Sequence, residues 1–289
     1  MKRNPLIGWV LLTPALIWIA SVMVVPFFYA IRLSFMKSAY GFGTMTWVGL
    51  ANYVRVFGNG AFWSAALVSL GWLAGNLVLQ MTLPMLLALF LNRELRGRDF
   101  ARSLILAPWI IPTIVCAIMW RWMLEPSVGV VNNVMELLWG AAPVPFLGGL
   151  KLALPTIIGI NTWKFSPLGV VLMLAALQTI PKEYYEAARV DGASGWQEFV
   201  HISFPLVGKV VWFVALLATI WVFNVVDLIW LLTEGGPGNA TQTVPILIYR
   251  TAFKMFNMGS ASAMAVVVSV FLILLGVLYF KVFRPKDEA

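Results

Sequence analysis

Charged side chains are scarce in this sequence. They make up 11% of its 289 residues, against about 25% in a typical soluble domain. Cysteine is nearly absent. Cys116 stands alone inside an apolar run, which excludes an internal disulfide and a cysteine-based zinc site and reads as a small buried hydrophobe. Histidine is equally rare. With His201 as its single example and few carboxylates near the apolar runs, the chain shows no evident catalytic cluster and no evident metal ligands. A phosphate-cradling Gly-x-x-x-x-Gly-Lys-Ser/Thr loop is also missing. Gly208-Lys209 lacks the upstream glycine and is followed by Val210, so this polypeptide is not a nucleotide-driven motor by itself.

Apolar side chains are abundant instead, at 61%, with a mean hydropathy of +0.88. A soluble fold of this length must leave much of its surface facing water and cannot hide that much apolar area. Lipid as the solvent removes the conflict. The net charge of +8 invites a nucleic-acid partner, but the basic residues lie in short clusters between apolar runs. That distribution is the membrane-topology pattern, so no nucleic acid is expected.

Six runs reach the roughly 20 residues that a helix needs to cross about 30 Å of hydrocarbon. They cover approximately 7–33, 62–91, 101–124, 152–178, 207–232 and 259–283. The first is longer than the core of a secretory signal and shows no small-residue cleavage pattern, so it reads as a retained span. All six are expected to be helical, because a segment in lipid satisfies its own backbone hydrogen bonds. The alternation of a membrane β-barrel is absent. The expected fold is therefore an all-α integral membrane protein, a single transmembrane domain over residues 1–289.

Six spans place both termini on one side. That side collects 12 basic residues, including Lys2, Arg3, Arg93, Arg96, Arg98, Arg102, Arg284 and Lys286, against 7 on the other. The richer side is expected to be cytoplasmic. Trp9, Tyr40, Trp47, Trp109, Trp139 and Tyr279 fall near span ends, where an interfacial aromatic belt and plain packing are equally good readings.

The loop between the fourth and fifth spans, residues 181–205, has its own structure. Pro181 suits a first helical position, and Glu183 and Glu186 suit the positive end of a helix dipole. Tyr184, Ala187 and Ala188 share a face. Asp191-Gly192 signals a break, and Ser194 with Gln197 has capping-box spacing. Trp196, Phe199 and Val200 form a second apolar face, and Pro205 ends one helix or begins the next. Two short helices with apolar faces beside a membrane suit docking on a protein, with lipid as the alternative surface.

Glu186-Ala187-Ala188, then Gly192, Ile202 and Pro205, resembles the signature loop of importer-type ABC permeases. The stretch from Glu186 to Gly195 is similar to that of the carbohydrate-uptake permeases of the maltose and glycerol-3-phosphate type. Trp47-Val48-Gly49-Leu50-Ala51-Asn52-Tyr53 and Leu232-Thr233-Glu234-Gly235-Gly236-Pro237 resemble two further family segments, and the likeness runs along nearly the whole chain. The extra N-terminal spans and large outer domain of the longest members are lacking. The resemblance implies a permease subunit of the bacterial inner membrane, importing a sugar or sugar-like solute. It implies a second homologous permease subunit, two ATP-binding subunits carrying ATP and magnesium, and a soluble solute-binding protein. It also implies that the loop is a coupling helix on the ATPase, with Glu186, Ala187, Ala188, Asp191 and Gly192 in that role.

Polar residues inside spans are expensive and point to function. The fourth span offers Asn161, Trp163 and Lys164. The fifth offers Asn224 and Asp227 on one face at i, i+3. For the amides and Trp163, lining a solute path stands beside helix–helix hydrogen bonding. Lys164 and Asp227 are candidates for the same path, and their charges also allow an ion pair locking two helices. The small residues of Gly259-Ser260-Ala261-Ser262-Ala263 favour close helix approach. Two other classes compete with the importer subunit: a stand-alone secondary transporter, whose inverted repeats and broken spans are not evident, and a membrane enzyme.

Overall fold

The computed structural model describes residues 5–38, 45–93 and 96–282. Lys2, Arg3, Tyr40, Arg284 and Lys286 from the orientation and aromatic-belt arguments lie outside these, as does the end of the sixth run at Phe283. The chain divides into two compact units, Met1–Ser64 with Leu247–Ile273, and Ala65–Ile246 with Leu274–Ala289.

In the first unit α1 (Pro5–Ile19) runs through a π-helical turn, Ala20–Val24, into α2 (Val25–Ser34). Two three-residue strands follow, β1 (Met36–Ser38) and β2 (Met45–Trp47), paired antiparallel with Met36 opposite Trp47. Then comes α3 (Ala51–Gly58). Asn52 holds this hairpin. Its side-chain amide donates to the carbonyls of Ser34 and Met36, at 2.8 and 2.9 Å. The hydroxyls of Ser34 and Tyr53 meet at 2.7 Å, and Phe35 stacks on Trp47. The apolar exterior of the first span, from Trp9 to Tyr29, is exposed along its length, as suits a helix solvated by lipid.

The second unit is built on α4 (Gly60–Asn92), which begins in the first unit, and continues with α5 (Arg98–Ile110), α6 (Thr113–Met123), α7 (Val130–Trp139) and α8 (Ala153–Leu177). After these come α9 (Lys182–Val190), α10 (Gly195–Glu198), a π-helical turn at Phe199–Ser203, α11 (Phe204–Phe223), α12 (Asp227–Thr233) and α13 (Val244–Tyr249). A third π-helical turn, Arg250–Lys254, lies in the first unit, and α14 (Met258–Val282) starts there and ends in the second. The core packs Met85, Ala88 and Leu91 of α4 against Val170, Met173 and Leu177 of α8 and Val207, Val211 and Val214 of α11. Close approach of α4 and α8 depends on a glycine: a Cβ on Gly169 would sit 3.2 Å from the ring of Pro84. Of the apolar stretch of α8, 67% is buried inside the protein, against 0% for the first span, so α8 is the axis of this unit.

Five described helices are long and apolar enough to cross a membrane, and the pair α5 and α6 brings the number to six when taken as one broken span. The expected six spans are thus present, with three differences from the expected boundaries. The third span is two helices bent by 96°, because Ile111 precedes Pro112 and is forced out of helical geometry, to ψ 126°. The fifth span runs without a break from Gly195 to Phe223, so Pro205 lies within a continuous helix. The same span stops at Phe223, well short of residue 232.

Pro26 and Pro205 occupy the second position after a π-helical turn. A proline donates nothing to the carbonyl four residues back, and a widened turn at that point lets the helix carry on.

Small residues at the start of α14 do bring backbones together within the first unit. A Cβ on Gly259 would fall 2.1 Å from the Met36 carbonyl oxygen and 2.9 Å from the Asn52 amide. Gly259→Ala therefore pushes the strand off Asn52 and is expected to cost about 1–3 kcal/mol. Its measure is a lower melting temperature of the purified protein, and an unchanged one would show that the contact is dispensable.

Candidate functional site

Trp72 on α4 starts a buried polar network in the second unit. Its indole N–H donates to the Val222 carbonyl at 2.7 Å, near the end of α11. Its own carbonyl accepts from the Asn76 amide nitrogen at 2.8 Å. A carbonyl only accepts, so this bond fixes which end of the Asn76 amide is nitrogen. The Asn76 oxygen then accepts from Gln80 at 3.2 Å and from Asn161 of α8 at 2.6 Å. Asn161 is consequently oriented too, and its Oδ1 is buried with no hydrogen-bond partner. Every member of the network is within one-tenth exposure, as expected where an unpaired amide facing hydrocarbon costs several kcal/mol.

Beside this network lies a cavity of about 440 Å³, in the range of small-molecule sites. Its wall includes Gln80, Trp109, Asn161, Phe165, Trp221, Asn224 and Asp227. Asn224 and Asp227 do not share a helical face, contrary to the i, i+3 expectation. The helix ends between them, with Asn224 as the C-cap of α11 and Asp227 as the first residue of α12. The terminal carbonyls of α11 are taken by side chains, Val222 by Trp72 and Ile220 by Asn224, while β-branched Val225 and Val226 favour non-helical backbone. Asp227 then suits the positive end of the short α12. Both side chains still reach the same cavity.

Trp163 and Lys164 do not line it. Trp163 packs edge-on against Trp120 of α6, with ring centroids 5.5 Å apart, and borders a second pocket with Pro108 and Pro167. Lys164 is buried at 3% exposure. Its ammonium donates to the Ile111 carbonyl and lies 5.2 Å from the Phe165 ring centroid. The expected ion pair between Lys164 and Asp227 is not formed. The carbonyl at the break of the third span offers the ammonium an acceptor at a helix C-terminus, where the dipole favours a cation. Of the wall residues that sequence reasoning missed, Trp109 carried only the signal of an aromatic near a span end, and Trp221, inside an apolar run, carried none.

The loop between the fourth and fifth spans closes as its sequence suggests. Ser194 caps α10, with its hydroxyl accepting from the Gln197 backbone while the Gln197 side chain accepts from the Ser194 N–H. Asp191 caps α9, and Gly192 follows at φ 80°. The Gly192 N–H donates to the Arg189 carbonyl and the Ala193 N–H to that of Ala188, the paired bonds of a Schellman motif. Arg189 reaches from α9 to Glu198 of α10 at 2.7 Å. The hydrogen bond and the charge of Glu198 push the Arg189 pKa further up. Glu186, Ala187, Asp191 and Gly192 face outward, Ala188 is half-buried, and Tyr184, Val190 and Trp196 present exposed apolar surface. A broad depression of about 1030 Å³ next to the loop is edged by Arg93, Arg98, Lys182 and Glu186. Among the described residues no cluster of three or more His, Cys, Asp or Glu side chains is placed to hold a metal.

A mostly apolar cavity with a few polar side chains thus lies among helices long and apolar enough to cross a membrane. Residues 80–286 match the family of binding-protein-dependent transport system inner membrane components, and the chain belongs to that family. It is 33% identical over 289 residues to the trehalose/maltose transport system permease protein MalF of Thermococcus litoralis, covering 99% of this chain and 96% of that one. It is 29% identical over 282 residues to the trehalose transport system permease protein SugA of Mycobacterium tuberculosis, covering 96% and 88%. The fold is that of a bacterial ABC transporter involved in import of the acidic polysaccharide alginate, with a TM-score of 0.87, 23% identity and coverage of 98% and 96%. Nothing among these likenesses supports a stand-alone secondary carrier.

Asn76→Ala removes the acceptor shared by Gln80 and Asn161 and leaves both amides short of a partner. A loss of about 1–3 kcal/mol is expected, read as a lower melting temperature. Asn224→Ala, whose bond is confined to its own helix, is expected to leave the melting temperature nearly unchanged.

Proposed function

We propose that this chain is the permease subunit of an ATP-binding-cassette importer that moves a sugar or sugar-like solute into the cytoplasm. The cavity wall carries the reading. Amides for hydroxyls and aromatic faces for an apolar sugar ring converge there, and Asn161, Asn224 and Asp227 form the solute path contributed by this chain. Relatives named for trehalose and maltose transport support the solute class. Trp163 and Lys164 hold the bent third span instead. Residues 1–289 then act as one permease domain, with both termini cytoplasmic by the Lys/Arg distribution.

The work is supplied by other subunits. Without a phosphate-binding loop in this chain, ATP and magnesium reside on two ATPase subunits, and a second permease chain completes the path. A soluble binding protein delivers solute, as supported by the alginate transporter solved in complex with its loaded periplasmic protein. The exposed loop 181–205 docks on the ATPase. Its outward Glu186 finds a basic partner there, and the apolar Tyr184, Val190 and Trp196 lose their water. An exposed ion pair would contribute roughly 0–1 kcal/mol, so the apolar contact dominates the docking.

Purified with its partners and placed in vesicles, the subunit is expected to support uptake that requires ATP and binding protein. Full-rate uptake by this chain alone would overturn the assignment. In the same vesicles Glu186→Ala and Gly192→Pro are expected to uncouple ATP hydrolysis from transport while the spans stay folded. Proline cannot adopt φ 80° and removes the N–H that donates to Arg189. ATPase stimulation by loaded binding protein is the measurement, and stimulation unchanged in both variants would remove the coupling role.

A further inference from the structure

We propose that Asp227 is a charge filter, and that this half of the cavity is built for neutral, hydroxyl-bearing solutes and against anionic ones such as uronates or sugar phosphates. The inference rests on the cavity being the solute path and narrows what passes through it. Asp227 is the one formally charged side chain in the wall, and no Lys, Arg or His lines it. The nearby intramembrane cation, Lys164, is withdrawn from the wall and bound to the Ile111 carbonyl. Asp227 is exposed, and the described residues give it no hydrogen-bond or ion-pair partner. An unpartnered carboxylate beside membrane-length helices is costly against lipid and is kept where it meets water or a solute.

A second, independent observation has the same sign. Asn161 lies in the cavity wall, and the Trp72–Asn76 chain of bonds turns its unfilled atom into an acceptor, Oδ1, buried and without a donor. An acceptor and a carboxylate both ask for a donor. Sugar hydroxyls supply donors; a carboxylate or phosphate group supplies only acceptors and adds like-charge repulsion. The aromatic Trp109, Phe165 and Trp221 complete a wall suited to an apolar ring face.

The test uses the assembled transporter in vesicles, with Cys116→Ala and Asn224→Cys. Reaction of the new thiol is timed with three water-soluble methanethiosulfonates of similar size, one cationic, one anionic and one neutral, in each nucleotide state. The cationic reagent is expected to react faster than the anionic one by roughly tenfold beyond their ratio with a free thiol, the size of a unit charge acting over a few ångströms in a half-wet site. Asp227→Asn should abolish this preference and Asp227→Glu should restore it, with the neutral rate unchanged throughout. A thiol open to the neutral reagent but showing no preference, or favouring the anion, would overturn the filter alone, and so would a preference that Asp227→Asn leaves intact. A thiol inert to all three reagents in every state would overturn the solute path itself, and the filter with it.

Discussion

The Trp72 carbonyl is the fixed point of the membrane core. It is a pure acceptor, so it sets the direction of the Asn76 amide, and that amide orders Gln80 and Asn161 in turn. The same tryptophan reaches the other way and takes the Val222 carbonyl. One residue thereby ties α4 to α8 and to the end of α11. In water such bonds are exchanged for solvent at little cost. In lipid there is nothing to exchange with, and polar groups that find one another define where the helices sit. The cavity lies beside this knot and inherits its geometry.

Much of the fold was readable in the sequence because lipid imposes length and polarity rules on each helix separately. The six spans, the capping box at Ser194 and the break at Gly192 follow from local patterns. The bend in the third span had a local signal as well, Ile111-Pro112, concealed by an uninterrupted apolar run. The end of α11 at Phe223 had little. It depends on Trp72, 150 residues away in the chain, taking a terminal carbonyl, and no window on the sequence contains both.

The site was legible in part for the same reason. Asn161, Asn224 and Asp227 stand out as polar groups inside apolar runs, and the structure brings all three to one cavity. Trp163 and Lys164 stand out equally, yet the structure sends them to Trp120 and to the Ile111 carbonyl. Polarity in a span shows that a partner is needed; whether that partner is solute, water or another helix is a property of the packing. The opposite charges of Lys164 and Asp227 look like an ion pair in one dimension, but a backbone carbonyl at a helix break competes for the ammonium.

The continuity of the fifth span from Gly195 to Phe223 has a mechanical meaning. Twenty-nine residues of helix at a rise of 1.5 Å make a rod about 43 Å long, with the exposed loop at one end and Asn224 at the other. A rod needs no large rotation to act at a distance. Tilting it by about 5° around the loop end carries the far end sideways by roughly 4 Å, more than the width of a water molecule. The widened turn at Phe199–Ser203, close to the pivot, is the one place where the helix has slack in its hydrogen bonding, so strain applied at the loop would be absorbed there first and only the remainder would travel to the cavity wall.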